Sequence, residues 1–466
     1  MVAKTVDSIN LNIVGELIAE ASVVAPAAHL YLGIDVAKSA HVGAFVSHEL
    51  IAKHGRFEKC PVVVFNNSRE GFEKLAGQIR EHGTPEECTV LVESTGHYSK
   101  ALCQYLQEIG CQIYIMHVMA RPQSHDKSDR RDALALANTL YLHVEKDVRI
   151  DDKSRRIARR LPPTETALQL QGLVRRRQEI TSDTTRRKNK LTAIVDEMFP
   201  ELTKVYADPN TPSALALRQK YPTPQSIIEA SIDDLCATRL HRRPGRASLA
   251  QLQVLAAQTI GTKSEHRLAS LIVEQEQLIA ELTLLNKHVE ALEKQIAPLV
   301  QESREGKILL SFPAIGVLQS ALLIASIGNI RNFDRLQKLR SYCGWSPQEE
   351  QTGITLDRSH LVQGGSPLLK TSLYLTTLQA IRMDTPWKVL YDRLVPRMCP
   401  YDERLGKFRG KMKVVGRVAG QMIGVIWLLL HQDAELIDSL KLGEEPPEPK
   451  LYDVEKHLKL LKRENS

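Results

Sequence analysis

Four acidic residues stand where chemistry is possible: Asp35 in LGIDVAKS, Glu93 in VLVESTGHY, and Asp129 with Asp132 in DKSDRRDALALA. The first two end apolar, β-rich runs. The last two lie three apart at the start of a helical pattern, so they share one helix face. Carboxylates drawn together repel unless a cation stands among them. Mg2+ (or Mn2+) relieves that repulsion, polarises a phosphate and activates an attacking oxygen. Taken singly, each acid is an ordinary structural residue, and the Asp pair also suits a helix N-terminus through the macrodipole. Taken in this order, the four predict a metal site for phosphoryl transfer on nucleic acid.

The elements that must position them read as follows. HLYLGIDVA and HVGAFVS are two strands within 29–48, and VVVF at 62–65 is a third. SREGFEKLAGQIREHG is a helix with Ser68 as cap and Gly83 as stop. CTVLVE is a strand ending at Glu93, SKALCQYLQEIG a helix, and CQIYIMHV the last strand. The order βββαβαβ, followed by a helix, predicts a ribonuclease-H-like mixed sheet covered by helices. Residues 151–264 read as a basic, mostly helical insert broken by prolines. From 265 to 300, Leu268, Leu271, Gln275, Leu278, Leu282, Leu285, Val289, Leu292, Ile296 and Leu299 alternate steps of three and four. That heptad predicts a coiled coil, within one chain or between protomers, with Gln275 as the polar position that can set register.

Residues 301–435 read as a compact, all-α C-terminal domain. FPAIGVLQSALLIASIGN is a helical hairpin whose turn can offer backbone N–H groups to phosphate, or is an ordinary αα-hairpin. A loop rich in Gly, Ser and Thr, WSPQEEQTGITLDRSHLVQGGSP, sits between helices, where chemistry is often placed. Residues 1–28 read as an N-terminal extension and 436–466 as a solvated tail.

The chain of 466 residues is 43 % hydrophobic with a formal charge of +7. Its basic residues crowd 155–190 (Arg155, Arg156, Arg175, Arg176, Arg177, Arg186, Arg187 and neighbours) and 407–417. One such arginine is a solvated helix residue; two dense clusters suit phosphate binding. The seven cysteines form no C-x-x-C pair, which argues against a zinc knuckle or a disulfide framework and suits a reducing compartment. No Walker-type loop is present, so no nucleotide cofactor is expected. The N-terminal stretch lacks the pattern of a signal peptide, and VVGRVAGQMIGVIWLLLH, interrupted by Arg417 and Gln421, reads as a buried helix rather than a span.

The chain resembles the DEDD-type insertion-sequence transposases of the IS one-ten family, the bridge-RNA-guided recombinases whose relatives include Piv-type DNA invertases. The matching stretches are GIDVAK, VEST-GHY, K-S-D-R-R-D-A, FPAIG, the FDRL–QKL–SYCGWSP run, and QTG–GGS–LLK. They cover roughly residues 30–430. The resemblance implies a RuvC-like domain whose metal ligands are Asp35, Glu93, Asp129 and Asp132. It implies a coiled coil used in dimer or tetramer assembly, and a C-terminal transposase domain with a serine nucleophile. It implies donor and target DNA and a structured guide RNA as partners, with no membrane, in the bacterial cytoplasm near the nucleoid.

At the position of the family serine this chain has Thr352, before Gly353. A threonine hydroxyl can attack phosphate when activated, although its β-branch makes it stiffer and more hindered. Three readings follow: Thr352 replaces the serine, Ser366 or Ser346 serves instead, or strand transfer is lost. The leading function is therefore an RNA-guided, Mg-dependent DNA recombinase. The alternatives are a junction nuclease without a covalent intermediate and a domesticated RNA- or DNA-binding protein with a decayed C-terminal site.

Overall fold

The computed structural model describes residues 30–93, 97–118, 128–145, 151–152, 155–239, 244–352, 356–361, 364–441 and 443–463. The expected extension at 1–28 lies outside the described residues. The chain divides into two units, Met1–Pro162 and Pro163–Ser466. It is mostly helical, with a mixed sheet in the first unit.

The first unit runs β1 (Leu30–Val36), β2 (Ala40–Val46), α1 (His48–His54), β3 (Val62–Asn66), α2 (Arg69–His82), β4 (Cys88–Glu93), α3 (Ser99–Glu108), β5 (Gln112–Val118), α4 (Asp129–Glu145), β6 (Asp151–Asp152) and β7 (Arg155–Arg159). The sheet order is β3-β2-β1-β4-β5-β7-β6. β1, β4 and β5 run parallel, while β2, β3 and β7 pair antiparallel to their neighbours. This is the arrangement expected of a ribonuclease-H-like domain. Alternate residues of the central strands feed two cores. Leu32, Ile34, Val90 and Val92 pack with Leu75 and Ile79 of α2 and Leu102 of α3. Tyr31 and Leu91 pack with Leu136, Ala137 and Leu140 of α4. Ser68 caps α2, its Oγ accepting from the Gly71 N–H at 3.2 Å.

The boundary expected at 150 falls short. β7 adds to the sheet edge, pairing Ile115 with Ala158, and β6 follows it. The run RRIAR was read as part of a helical insert because its charge hides its alternation.

The second unit contains α5 (Glu165–Met198), α6 (Pro212–Lys220), α7 (Pro224–Glu229), α8 (Ile232–Ala237), α9 (Arg246–Ala257), α10 (Glu265–Glu302), α11 (Arg304–Leu310) and α12 (Val317–Ile327). Then come α13 (Leu336–Tyr342), β8 (Pro347–Thr352), β9 (Leu356–Leu361), α14 (Pro367–Arg382), α15 (Pro386–Met398), β10 (Tyr401–Asp402), β11 (Lys407–Phe408), α16 (Met412–Ser439) and α17 (Val454–Arg463). The ion pairs Arg177–Glu293, Arg187–Glu281 and Arg267–Glu197 show that α5 and α10 run antiparallel.

The heptad seam of α10 therefore meets a helix of the same chain. Leu271, Leu278 and Leu282 pack with Leu191, Ile194 and Met198 of α5. Gln275 is 2 % exposed and finds its partner in Arg218 of α6, which is 3 % exposed. Arg218 Nε donates to Gln275 Oε1 at 2.9 Å, and Gln275 Nε2 donates back to the Arg218 carbonyl at 3.2 Å. The polar seam position thus answers an arginine of the insert, where the heptad pattern alone suggested a register-setting role. The insert itself has a core, with Phe199, Leu202, Leu217, Leu235 and Leu252 at its centre.

Two further expectations are corrected. The C-terminal domain is not all-α: β8–β9 and β10–β11 form two small sheets. PQEEQT and LDRSHL are polar on nearly every residue, so no apolar alternation announced them. Nor is 436–466 a solvated tail. Tyr452 is 8 % exposed and stacks on Phe312 with ring centres 4.5 Å apart. Its N–H donates to Ser311 Oγ at 2.9 Å, and Leu461 of α17 is buried in the same core. The EEPPEPK run is exposed for most of its length, but apolar anchors beyond it bring the chain back. α16 is long and apolar enough to cross a membrane, yet 67 % of its most apolar window is buried within the fold. That agrees with its reading as a core helix.

Candidate active site

Asp35 is the penultimate residue of β1 and Glu93 the last of β4. The parallel register pairs Ile34 with Val92, so the two acids come next on neighbouring strands. α4 brings the other two. A Cβ on Gly33 would lie 2.2 Å from the Ala137 nitrogen and 2.4 Å from the Ala133 oxygen. Only glycine lets the helix backbone come that close to the strand. From Ala133 back to Asp129 is one helical turn, about 6 Å, and from Gly33 to Asp35 is about 7 Å. The two advances match. Asp129 and Asp132 occupy the exposed first turn of α4.

The electrostatics agree with this placement. Burial, then the charges of Asp129, Asp132 and Glu93, hold the Asp35 carboxyl above its ordinary value, against a lowering contact from the Val36 N–H. Each of the other three acids is thus near enough to act on Asp35. Among the described residues, no three such side chains stand at metal-ligand spacing. The donor set still suits a hard divalent cation: it is all oxygen and strongly negative. The four acids were visible in the sequence. Gly33 was not singled out, although a glycine two residues before a candidate ligand inside a strand signals a close backbone approach.

Thr352 belongs to the second unit, at the end of β8, opposite Leu356. The hairpin is anchored at its base. Trp345 N–H donates to the Arg340 carbonyl at 2.8 Å, and Ser366 N–H donates to the Tyr342 carbonyl at 2.8 Å. Gly365, at φ 94°, sits where a Cβ would strike Gly344 and Ser341 backbone atoms at 2.7 Å. Ser366 caps α14, its Oγ accepting from the Leu369 N–H at 3.4 Å. That gives Ser366 a structural task. Ser346 lies between α13 and β8, partly buried. In the FPAIG hairpin, Ala314 at φ 70° is the one non-glycine residue in the left-handed region among the described residues.

The basic residues of α5 divide. Arg176 meets Glu179 at 3.2 Å, Arg177 meets Glu293 at 2.6 Å, Arg186 meets Asp183 at 2.6 Å and Arg187 meets Glu281 at 2.8 Å. Arg175 and Lys190 are exposed with no carboxylate at salt-bridge distance among the described residues. A cleft of about 690 Å³ opens between α5 and α12, lined by Gln171, Arg175, Gln178, Ser182, Arg186 and Ser326 among others.

A family model described as a DEDD transposase of the IS110 type matches residues 32–200, and a second, described as the transposase IS116/IS110/IS902 family, matches residues 306–392. The chain belongs to the IS110 family of transposases. The first match spans all four acids and the second the hairpin with Thr352. The insertion element IS110 43.6 kDa protein of Streptomyces coelicolor is 23 % identical to this transposase over 86 % of this chain and 94 % of its own length. The IS117 mini-circle protein of the same organism is 26 % identical over 63 % and 70 %. The insertion element IS900 42 kDa protein of Mycobacterium paratuberculosis is 22 % identical over 69 % and 75 %. As an IS110-family transposase, the protein acts in DNA recombination and transposition.

Proposed function

We propose that this transposase is an RNA-guided DNA recombinase of an insertion sequence, with Asp35, Glu93, Asp129 and Asp132 as its Mg-binding (or Mn-binding) set and Thr352 as its nucleophile. The observation that carries this reading is the convergence of Asp129, Asp132 and Glu93 on Asp35. Like charges drawn together cost stability that a bound cation would recover. A bound divalent ion supplies charge neutralisation on the phosphoryl oxygens. The four carboxylates would hold it and orient it from a strand pair and a helix end. Thr352 Oγ1 attacks the phosphorus, forming a protein–DNA phosphodiester as the deoxyribose oxygen leaves with a proton. The new ester keeps the bond energy, so rejoining needs no nucleotide cofactor. Guidance by a structured RNA, and assembly as a dimer or tetramer in which sites are shared, rest on the family resemblance of the whole chain.

Threonine in place of the family serine favours a second reading, a metal-dependent nuclease that leaves no protein–DNA bond. Mass spectrometry of the trapped reaction separates the two. An adduct on Thr352 that requires Mg2+ and all four acids supports the recombinase. Cut DNA without any adduct supports the nuclease, and an adduct on Ser346 or Ser366 moves the nucleophile. Recombination that proceeds equally without RNA removes the guided part of the reading.

A further inference from the structure

Arg340, in the FDRLQKLRSYCGWSP run, lies across a groove in α16. Its Nε donates to the Gly420 carbonyl at 2.9 Å. A Cβ on Gly420 would stand 3.7 Å from that Nε, and one on Gly424 would stand 3.6 Å from Nη2. The two glycines, one turn apart, flank the guanidinium at ordinary contact distance. Arg417, exposed and three residues before Gly420, is the neighbouring cation whose charge acts on Arg340. Lys370 of α14 borders the same corner, its Cδ 3.0 Å from where a Gly344 Cβ would be. Among the described residues, neither Arg340 nor Arg417 nor Lys370 has a carboxylate at salt-bridge distance. Burial and the nearby Arg417 hold the Arg340 guanidinium below its ordinary value. Two other half-buried arginines of this unit do have acids: Arg304 has Asp433 at 2.5 Å and Arg331 has Asp438 at 2.6 Å.

We infer that Arg340 and Arg417, with Lys370 at the margin, form a binding site for a backbone phosphate of a nucleic-acid strand. This rests on the transposase reading and adds a second point of contact to it. A guanidinium offers a planar fork of donors that fits phosphate, and among the described residues Arg340 commits only its Nε to protein. The site stands at the base of the β8–β9 hairpin, because the Arg340 carbonyl is the acceptor that anchors Trp345. The five residue steps of β8 put Thr352 about 17 Å from its base. Arg340 and Arg417 are therefore positioning residues. They hold the strand at a flanking phosphate, while the hairpin addresses another.

The test is fluorescence anisotropy on the full chain, with a labelled DNA duplex in one arm and a labelled RNA hairpin in the other, across a salt series. Arg417→Gln, on an exposed face, should lower affinity roughly tenfold and reduce the log–log salt slope by about one. Arg340→Gln should do the same, with a melting curve to confirm folding. If that variant does not fold, Arg417→Gln carries the test. Arg69→Gln on α2, exposed and paired with Glu73, is the control and should leave the slope nearly unchanged. A loss in the DNA arm assigns the phosphate to DNA, and a loss confined to the RNA arm assigns it to RNA; both support the site. An unchanged slope for Arg417→Gln in both arms overturns it, as does an equal loss in Arg69→Gln, which would mean unspecific charge. In either case intact wild-type binding and recombination would leave the transposase reading standing, whereas wild-type protein that binds neither nucleic acid would sink both.

Discussion

The α5–α10 pair and the β1–β4–α4 edge are both crowded with charge, and they treat it in opposite ways. Along α5, four arginines are answered by carboxylates on the same helix or on α10. At the ends of β1 and β4, burial and the charges of Asp129, Asp132 and Glu93 raise the cost of ionising Asp35. The first arrangement is closed: its charges are satisfied within the chain and fasten two helices. The second gathers like charges around Asp35, and in the proposed reading a divalent cation would answer them. Density of charged residues in a sequence does not distinguish the two cases. The presence or absence of an internal partner does.

The largest effects should come from the acidic region and the nucleophile. Asp35→Ala is expected to lower recombination at least about a hundredfold. Its metal-free melting temperature should hold or rise, because one repelling charge is gone. A variant that recombines fully, or melts well below wild type without metal, would place Asp35 among ordinary structural acids. Thr352→Ala should remove the covalent DNA adduct while binding survives, and Thr352→Ser should keep or raise adduct yield, since the hydroxyl stays and the methyl goes. Equal adduct from Thr352→Ala and wild type would exclude Thr352 as nucleophile.

The closed region should show its importance in stability. Leu282→Ala, at a side chain 1 % exposed between α10 and α5, should cost about 2–5 kcal/mol in urea unfolding. A loss of mass in solution with unchanged stability would instead mean that this face holds a second copy. Ser366→Ala removes the cap of α14 and should cost about 1 kcal/mol. The smallest effect is expected for the Arg177–Glu293 pair, whose coupling in a double-mutant cycle should be about 0.5 kcal/mol and fade with salt. A salt-insensitive coupling of several kcal/mol would blur the contrast between the two regions.

The sheet was legible because LYLGIDV and CTVLVE carry apolar runs of strand length, and the four acids were legible because each sits at the end or start of such an element. RRIAR was not, since charge masks its period. The hairpin PQEEQT–LDRSHL has no apolar face to announce it. The partner of Gln275 was hidden because Arg218 lies fifty-seven residues away and sequence alone does not pair them. Tyr452 and Leu461 were overlooked behind a proline- and glutamate-rich run. Arg340 reads in the sequence as one more basic residue on a short helix. Its isolation from carboxylates exists only in three dimensions.

The bare backbone of Gly33 beneath Ala133 and Ala137 has a kinetic consequence. With no side chain between strand and helix, there is no compressible layer, and the main-chain frames carrying Asp35, Asp129 and Asp132 move as one piece. What remains to adjust is rotation of short side chains, which takes picoseconds to nanoseconds. Ion loading should then be paced by how readily the ion sheds its own water, and Mg2+ does so reluctantly. In stopped-flow mixing, a more labile ion such as Mn2+ should arrive at the cup sooner than Mg2+, with no slow protein phase in either trace.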